Sequence, residues 1–191
     1  MIYLANAAAL LIQFAFGCAV ALFVLRLLAE AGRADFRNPI SQFVYRYTNP
    51  VLAPIRRVLP NWRRLNLAAL LVCYLVMLVK RVVLFALVGT LPHLTGLLVL
   101  ALADLLDFVL LFYLVLVFGW SLLSMFAVDT YHPVLRLVEG IVDPLLKPLR
   151  GKLVVGMLDF SPAVVMIVLL LARILVAAPL FDWGNQLARG F

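Results

Sequence analysis

Four long apolar runs alternate with polar, proline-marked segments along the chain. They cover about Leu4–Ala29, Leu67–Thr90, Leu97–Ala127 and Pro162–Leu180. A helix of about 20 mostly apolar residues crosses roughly 30 Å of hydrocarbon, so each run predicts a transmembrane span. The third run is longer than one crossing needs. Asp104 and Asp107 near its start predict that it begins outside the bilayer or in a packed interface, with the crossing itself at about 105–127. The first run lacks a basic segment before it and is too long for the apolar core of a cleaved signal peptide, so it reads as part of the mature chain.

The polar segments have helical spacing. Ile40, Phe43, Val44 and Tyr47 follow i, i+3, i+4, i+7, and Val134, Leu135, Leu137, Val138, Ile141 and Val142 trace a matching stripe. Asn38-Pro39, Asn49-Pro50 and Asp143-Pro144 each read as an N-cap followed by proline at the first helical position. Pro54 and Pro148 cannot donate to the carbonyls of Pro50 and Pro144, which predicts a break there. The expectation is two short amphipathic helices per loop, lying at the membrane interface or dipping into it. Asp129, Asp143 and Asp159 read as caps.

The two loops are copies of each other. Asn38–Arg57 reads NPISQFVYRYTNPVLAPIRR and His132–Gly151 reads HPVLRLVEGIVDPLLKPLRG. Pro39, Pro50 and Pro54 match Pro133, Pro144 and Pro148, each 94 positions on, and Arg56 matches Arg150. Three paired prolines at one shift, in a chain with ten, mark an internal repeat. Further on the offset becomes 93: Asn66 matches Asp159 and Lys80 matches Arg173. The expected units are residues 1–94, with spans at about 4–29 and 67–90, and residues 95–191, with spans at about 105–127 and 162–180. Two crossings per unit return the chain to its starting side, so the repeats are parallel. The predicted fold class is all-α: a polytopic membrane protein of four transmembrane helices in two parallel tandem repeats, with proline-broken interfacial helices.

Composition sharpens this picture. Hydrophobic residues make up 66% of the chain and charged residues 13%, against roughly 45–50% and 25% in soluble domains. A cytosolic globule, a disordered tail and a disulfide scaffold are excluded. The two cysteines, Cys18 and Cys73, lie inside apolar runs and read as small hydrophobes. The net charge of +7 is unevenly placed. Arg33, Arg37, Arg46, Arg56, Arg57, Arg63 and Arg64 lie between the first two runs, and Arg136, Lys147, Arg150 and Lys152 between the last two. The positive-inside rule then puts both loops in the cytoplasm and both termini outside. Arg46, Arg56, Arg57, Lys147 and Arg150 would meet anionic headgroups or a membrane-protein partner, at about 1 kcal/mol per basic residue near the surface. Neither a recognition helix nor a stacking platform accompanies them, so no nucleic-acid partner is expected.

Ionisable residues inside the spans are the strongest functional leads, because each costs about 2.5–3.5 kcal/mol on insertion scales. They are Lys80, Arg81, Asp104, Asp107 and Arg173. An antiparallel hairpin turning between residues 93 and 94 would level Lys80 with Asp107. Lys80 or Arg81 is therefore expected to pair with Asp107, with Asp104 as the further acceptor. Arg173 is left with Gln13, the same acidic pair or the headgroups. Arg26 reads as an interface anchor. No catalytic constellation appears: His93 and His132 fall on opposite sides, and no Walker A loop, G-x-S-x-G elbow, H-E-x-x-H or CxxCH is present. No enzyme, metal site or cofactor is expected.

TNPVLAPIRRVLP (Thr48–Pro60), VDPLLKPLRGKL (Val142–Leu153) and LDFSP (Leu158–Pro162) resemble the YggT family, also called YlmG. The repeat motif rests on Asn49, Pro50 and Pro54, on Asp143, Pro144 and Pro148, and on Asp159, Ser161 and Pro162. The family's Asp-Leu-Ser-Pro survives as Asp159-Phe160-Ser161-Pro162 but is Asn66-Leu67-Ala68-Ala69 in the first repeat. The resemblance implies a duplicated membrane protein with links to osmotic or salt tolerance, potassium uptake, cell division and cytochrome assembly. A haem contact enters only through it. Two functions are therefore expected to compete: a non-enzymatic assembly or scaffold factor, and a component of ion or solute transport. The excess of positive charge inside the spans disfavours direct potassium conduction.

Overall fold

The computed structural model describes residues 2–32, 38–63, 65–125, 132–155 and 158–190. Arg33, Arg37, Arg64 and Asp129 lie outside these. Among the described residues the fold is helical apart from one short strand pair and an isolated bridge. The first repeat contains α1 (Ile2–Ala31), α2 (Pro39–Arg56) and α3 (Leu67–Val88). The second contains α4 (Leu94–Met125), α5 (Pro133–Leu146), β1 (Val154–Val155) paired with β2 (Leu158–Asp159), and α6 (Ser161–Ala172). A wide π turn over Arg173–Ala177 joins α6 to α7 (Ala178–Arg189). Among the described residues four helical stretches are long and apolar enough to cross a membrane: Tyr3–Ala31, Leu67–Val88, Leu94–Ser124 and Ser161–Arg189. Large side chains such as Leu10, Phe14, Val115 and Leu175 stand more than half exposed along them, as lipid-facing residues must.

The repeat is visible in the backbone. Trp62 pairs with Leu65 ahead of α3, and 93 positions on Val155 pairs with Leu158 ahead of α6. Asn38 caps α2 by accepting from the Ile40 N–H, and His132, 94 positions on, caps α5 by accepting from the Val134 N–H. The Asn38 amide also donates to the Pro133 carbonyl, tying the starts of α2 and α5 together. Gly32 sits against the Gly140 carbonyl with no room for a methyl, which brings the end of α1 onto α5.

Asn38-Pro39 opens α2 and the chain breaks at Pro148, both as expected, but Pro50, Pro54 and Pro144 behave differently. α2 is a single helix running through Pro50 and Pro54, and α5 runs through Pro144 before turning at Pro148. Asn49 and Asp143 are therefore interior residues and not caps. Their side chains are drawn to arginines, Asn49 to Arg26 and Asp143 to Arg150. Tertiary contacts outweigh the lost backbone hydrogen bonds.

The third apolar helix starts at Leu94, and the fourth helical stretch continues past Leu180 to Arg189. The π turn explains the continuation. Ala178 donates to the Arg173 carbonyl, five residues back, and the widened turn accommodates Pro179, which has no N–H and would crowd a regular helix. α7 then packs antiparallel on α4, with Gly184 against Leu100 and Gly96 against Ala188. The main core joins Val20, Val24, Leu27, Leu52, Val72 and Met77 with Ala101, Leu105, Leu137 and Ile141. A second cluster joins Val117, Val142, Leu146, Val165 and Leu169.

Candidate functional site

Two polar clusters occupy otherwise apolar surroundings. The first is built on α4, where Asp104 and Asp107 lie one turn apart and so share a face. Arg81 grips Asp104 with both arms of its guanidinium, Nε to Oδ2 at 2.7 Å and Nη2 to Oδ1 at 2.8 Å. Lys80 Nζ sits 2.9 Å from the same Oδ2. The Arg81 guanidinium centre also lies 5.6 Å from the Phe181 ring centroid, within cation–π range. Asp107 is held by Arg173 in the same forked manner, at 2.7 and 3.0 Å. α4 is thereby anchored to α3 of the first repeat through Asp104, and to the fourth span of its own repeat through Asp107. Fork-to-fork pairs of this kind are the strong, directional form of ion pairing.

This pairing corrects the expected one. Lys80 and Arg81 both choose Asp104 and not Asp107, while Arg173 takes Asp107, a member of the acidic pair expected among its partners, and not Gln13. The cause is the geometry of α3 on α4. The Tyr74 hydroxyl donates to the Leu98 carbonyl at 3.1 Å, while Arg81 reaches Asp104. Moving forward along α3 thus means moving forward along α4. An in-register antiparallel hairpin would step backward, so the two helices cross here and equal-depth counting from the turn fails.

The second cluster lies where α1 meets α2. Arg26 is fully buried. It donates from Nε to Glu30 at 3.1 Å, from Nη1 to the Thr48 hydroxyl at 2.6 Å and the Tyr45 carbonyl at 3.3 Å, and from Nη2 to Asn49 at 3.3 Å. Its guanidinium stacks 4.1 Å from the Tyr45 ring centroid. Glu30 also accepts from Arg56 at 2.6 Å. Burial, reinforced by the Glu30 carboxylate, pushes the Tyr45 hydroxyl above its ordinary range. Arg26 is therefore a hub and not an interface anchor. The legible signal was Glu30 four residues on, at the spacing of a helical ion pair.

The remaining candidates separate. Arg56 turns inward to Glu30, whereas Arg46, Arg57, Lys147 and Arg150 are exposed. Arg150 pairs with Asp143 at 3.0 Å and lies 5.3 Å from the Trp120 ring centroid. Asp159 accepts from the Ser161 hydroxyl at 2.6 Å and the Ser161 N–H at 2.9 Å, and the same hydroxyl oxygen lies 3.0 Å from the Leu149 carbonyl, the alternative acceptor for its one proton. The Ser161 hydroxyl, then its N–H, and the charge of Arg150 hold the Asp159 carboxyl below its usual range. Pro162 is buried in the first turn of α6 behind it.

A family model described as CCB3/YggT matches residues 4–87 and again 99–180. The chain belongs to the CCB3/YggT family. Its two matches fall on α1–α3 and on α4 through α7's first turn, so the internal repeat is the family's own unit. The chain is 35% identical to the uncharacterized protein YggT of Escherichia coli K12 over 172 residues, 87% of each chain. It is 34% identical to an uncharacterized protein of Pseudomonas aeruginosa over 182 residues, 92% of this chain and 91% of that one. An uncharacterized Haemophilus influenzae protein is 33% identical over 148 residues, 77% and 78% of the two chains. No solved structure matches the chain. The charged members of both polar clusters lie inside the CCB3/YggT matches, whereas Phe181 and the contacts of Gly96 and Gly184 involve residues just outside them.

Proposed function

We propose that this CCB3/YggT protein is a non-enzymatic scaffold of the bacterial cytoplasmic membrane. In this reading α2 and α5 face the cytoplasm, and both termini lie outside. The observation that carries it is the joint face of α2 and α5. One helix comes from each repeat, and they are tied through Asn38 and Pro133. On α2, Phe43 and Tyr47 stand 55% and 58% exposed with their rings 4.5 Å apart, beside the exposed Arg46 and Arg57. On α5 and the turn after it, Val134, Lys147 and Arg150 are exposed. Aromatic and basic side chains side by side suit a membrane-protein partner seated among anionic headgroups. The buried carboxylates are already paired, which leaves them unsuited to acid–base chemistry.

A second reading, a part in ion or solute movement, draws on one observation. Lys80 and Arg81 share one carboxylate, which leaves a positive excess near the π turn of the fourth span. Photo-crosslinking from Phe43, Tyr47 and Val134 in native membranes separates the two. The scaffold reading expects a discrete protein adduct from these positions. Lipid adducts alone, with solute flux in proteoliposomes that Lys80→Met abolishes, would replace it with the transport reading.

A further inference from the structure

The half of α1 farthest from α2 is largely uncovered. Val20, Val24 and Leu27 are buried. The same side of the helix continues through Gly17, Gln13, Leu10, Asn6 and Tyr3, at alternating steps of three and four that define a helix-pairing seam. There it is open: Tyr3 is 87% exposed and Leu10 66%, and nothing lies within 4 Å of where a Gly17 side chain would start. Apolar seam residues can face lipid at no cost. Gln13 cannot. It stands thirteen residues from Arg26, roughly 20 Å along the helix at 1.5 Å per residue, and well inside the apolar stretch Tyr3–Ala31, which in the proposed topology sets it within the hydrocarbon. It is exposed, and no described residue bonds to its amide. Lipid tails offer that amide no hydrogen bond.

The second repeat shows what this stretch lacks. Tyr3–Gly17 corresponds to Leu97–Leu111 of α4, where Leu97, Leu100, Ala101 and Ala103 are buried. α7 covers that stretch of α4 by packing on Leu100. The counterpart of Gln13 is Asp107, held by Arg173. In the first repeat α3 stops at Val88, so no helix equivalent to α7 covers α1. Lys80, the counterpart of Arg173, is already committed to Asp104.

We propose that a second copy of this chain supplies the cover: two α1 helices pair in parallel along Tyr3, Asn6, Leu10, Gln13 and Gly17, with the Gln13 amides bonded to each other. All copies insert in the same sense, so their two-fold axis stands along the bilayer normal and like residues face like residues. A carboxamide both donates and accepts and is therefore its own complement. Polar residues at seam positions are known fasteners of membrane helices, and a glycine lets the backbones approach.

The test uses the full chain in native membranes with Cys18→Ser and Cys73→Ala. Single cysteines are placed on the seam (Leu10→Cys, Gly17→Cys) and on the opposite side of α1 (Ala8→Cys, Ala15→Cys), then oxidised with copper phenanthroline. Disulfide-linked dimers at twice the chain mass are expected from the seam at several-fold higher yield than from the opposite side. In the Leu10→Cys reporter, Gln13→Leu should cut the yield several-fold and Gln13→Asn should largely keep it. Equal yields from both sides, seam adducts only to a different protein, or indifference to Gln13→Leu would overturn the proposal. All four cysteine sites lie on the open half of α1, so the comparison does not depend on a residue the core needs.

Discussion

The two corners where a span meets its amphipathic helix are repeat counterparts with opposite chemistry. In the first, Arg26 is buried in a shell of Glu30, Thr48, Asn49 and Tyr45, and Arg56 closes on Glu30 from the other side. In the second, Trp120 takes the place of Arg26 and Val142 the place of Thr48. Arg150, the counterpart of Arg56, is left at the surface on Asp143, with side chains 44% and 39% exposed. The same backbone unit thus accepts either a buried charge with every arm satisfied or an aromatic ring with a solvated ion pair above it. A buried ion pair is weak evidence for stability in itself, but removing one member is severe because its partner stays charged in an apolar place.

The comparison can be broken most forcefully at Glu30. Glu30→Ala leaves Arg26 buried without a counter-charge and is expected to cost about 3–5 kcal/mol. In the second corner the carboxylate that meets the arginine is Asp143, the counterpart of Asn49, and Asp143→Ala should cost no more than about 1 kcal/mol, as exposed pairs do. Denaturant unfolding in detergent reads both, and equal losses would erase the distinction between the corners.

Next in size is the pairing on α4. Asp104→Asn strands two cations and should destabilise by about 3 kcal/mol, more than Asp107→Asn, whose partner Arg173 is partly exposed. Arg173→Leu should rescue Asp107→Asn, and Lys80→Leu should not. Rescue by Lys80→Leu would restore the straight-hairpin pairing that the crossing of α3 and α4 contradicts.

A third test concerns the close approach of α1 to α5. Gly32→Ala drives a methyl into the Gly140 carbonyl and should cost about 1–3 kcal/mol. Gly119→Ala, with open space around it, should be neutral or stabilising by up to about 1 kcal/mol through helix propensity.

The smallest effect is at the start of α6. The Asp159 carboxyl is held below its ordinary range, so its contribution is complete above the unfolded value near 3.9 and is lost as pH falls through the lower folded one. Ser161→Ala removes the first cause of that depression. The melting temperature of the variant should then lie slightly below the parent's at neutral pH, with the gap closing in acid. A gap that widens in acid would contradict the assignment.

Much of this architecture is legible in the sequence because apolar length and repeated prolines are local signals. The four spans, the doubling and the helical nature of both loops follow from them. The continuity of α2 through Pro50 and Pro54 does not, because it is accompanied by contacts with another helix, such as Arg26 to Asn49, that spacing along the chain does not reveal. Nor does the crossing of α3 on α4, since residue counting assumes straight neighbours, or the run of the fourth span beyond Pro179, which needs a π turn. The intramembrane charges are found by type but their partners are not. Helix direction in space, and not spacing along the chain, decides which carboxylate each cation meets.

The account rests most heavily on α2 and α5 sharing the cytoplasmic side of the membrane. Impermeant maleimide labelling of right-side-out spheroplasts tests this directly, with native cysteines replaced and single ones at Arg57, Lys147 and Leu91, the last 99% exposed in the loop between α3 and α4. The account predicts that Leu91→Cys labels in intact spheroplasts and that Arg57→Cys and Lys147→Cys label only after permeabilisation. Labelling of either loop position in intact spheroplasts would contradict it.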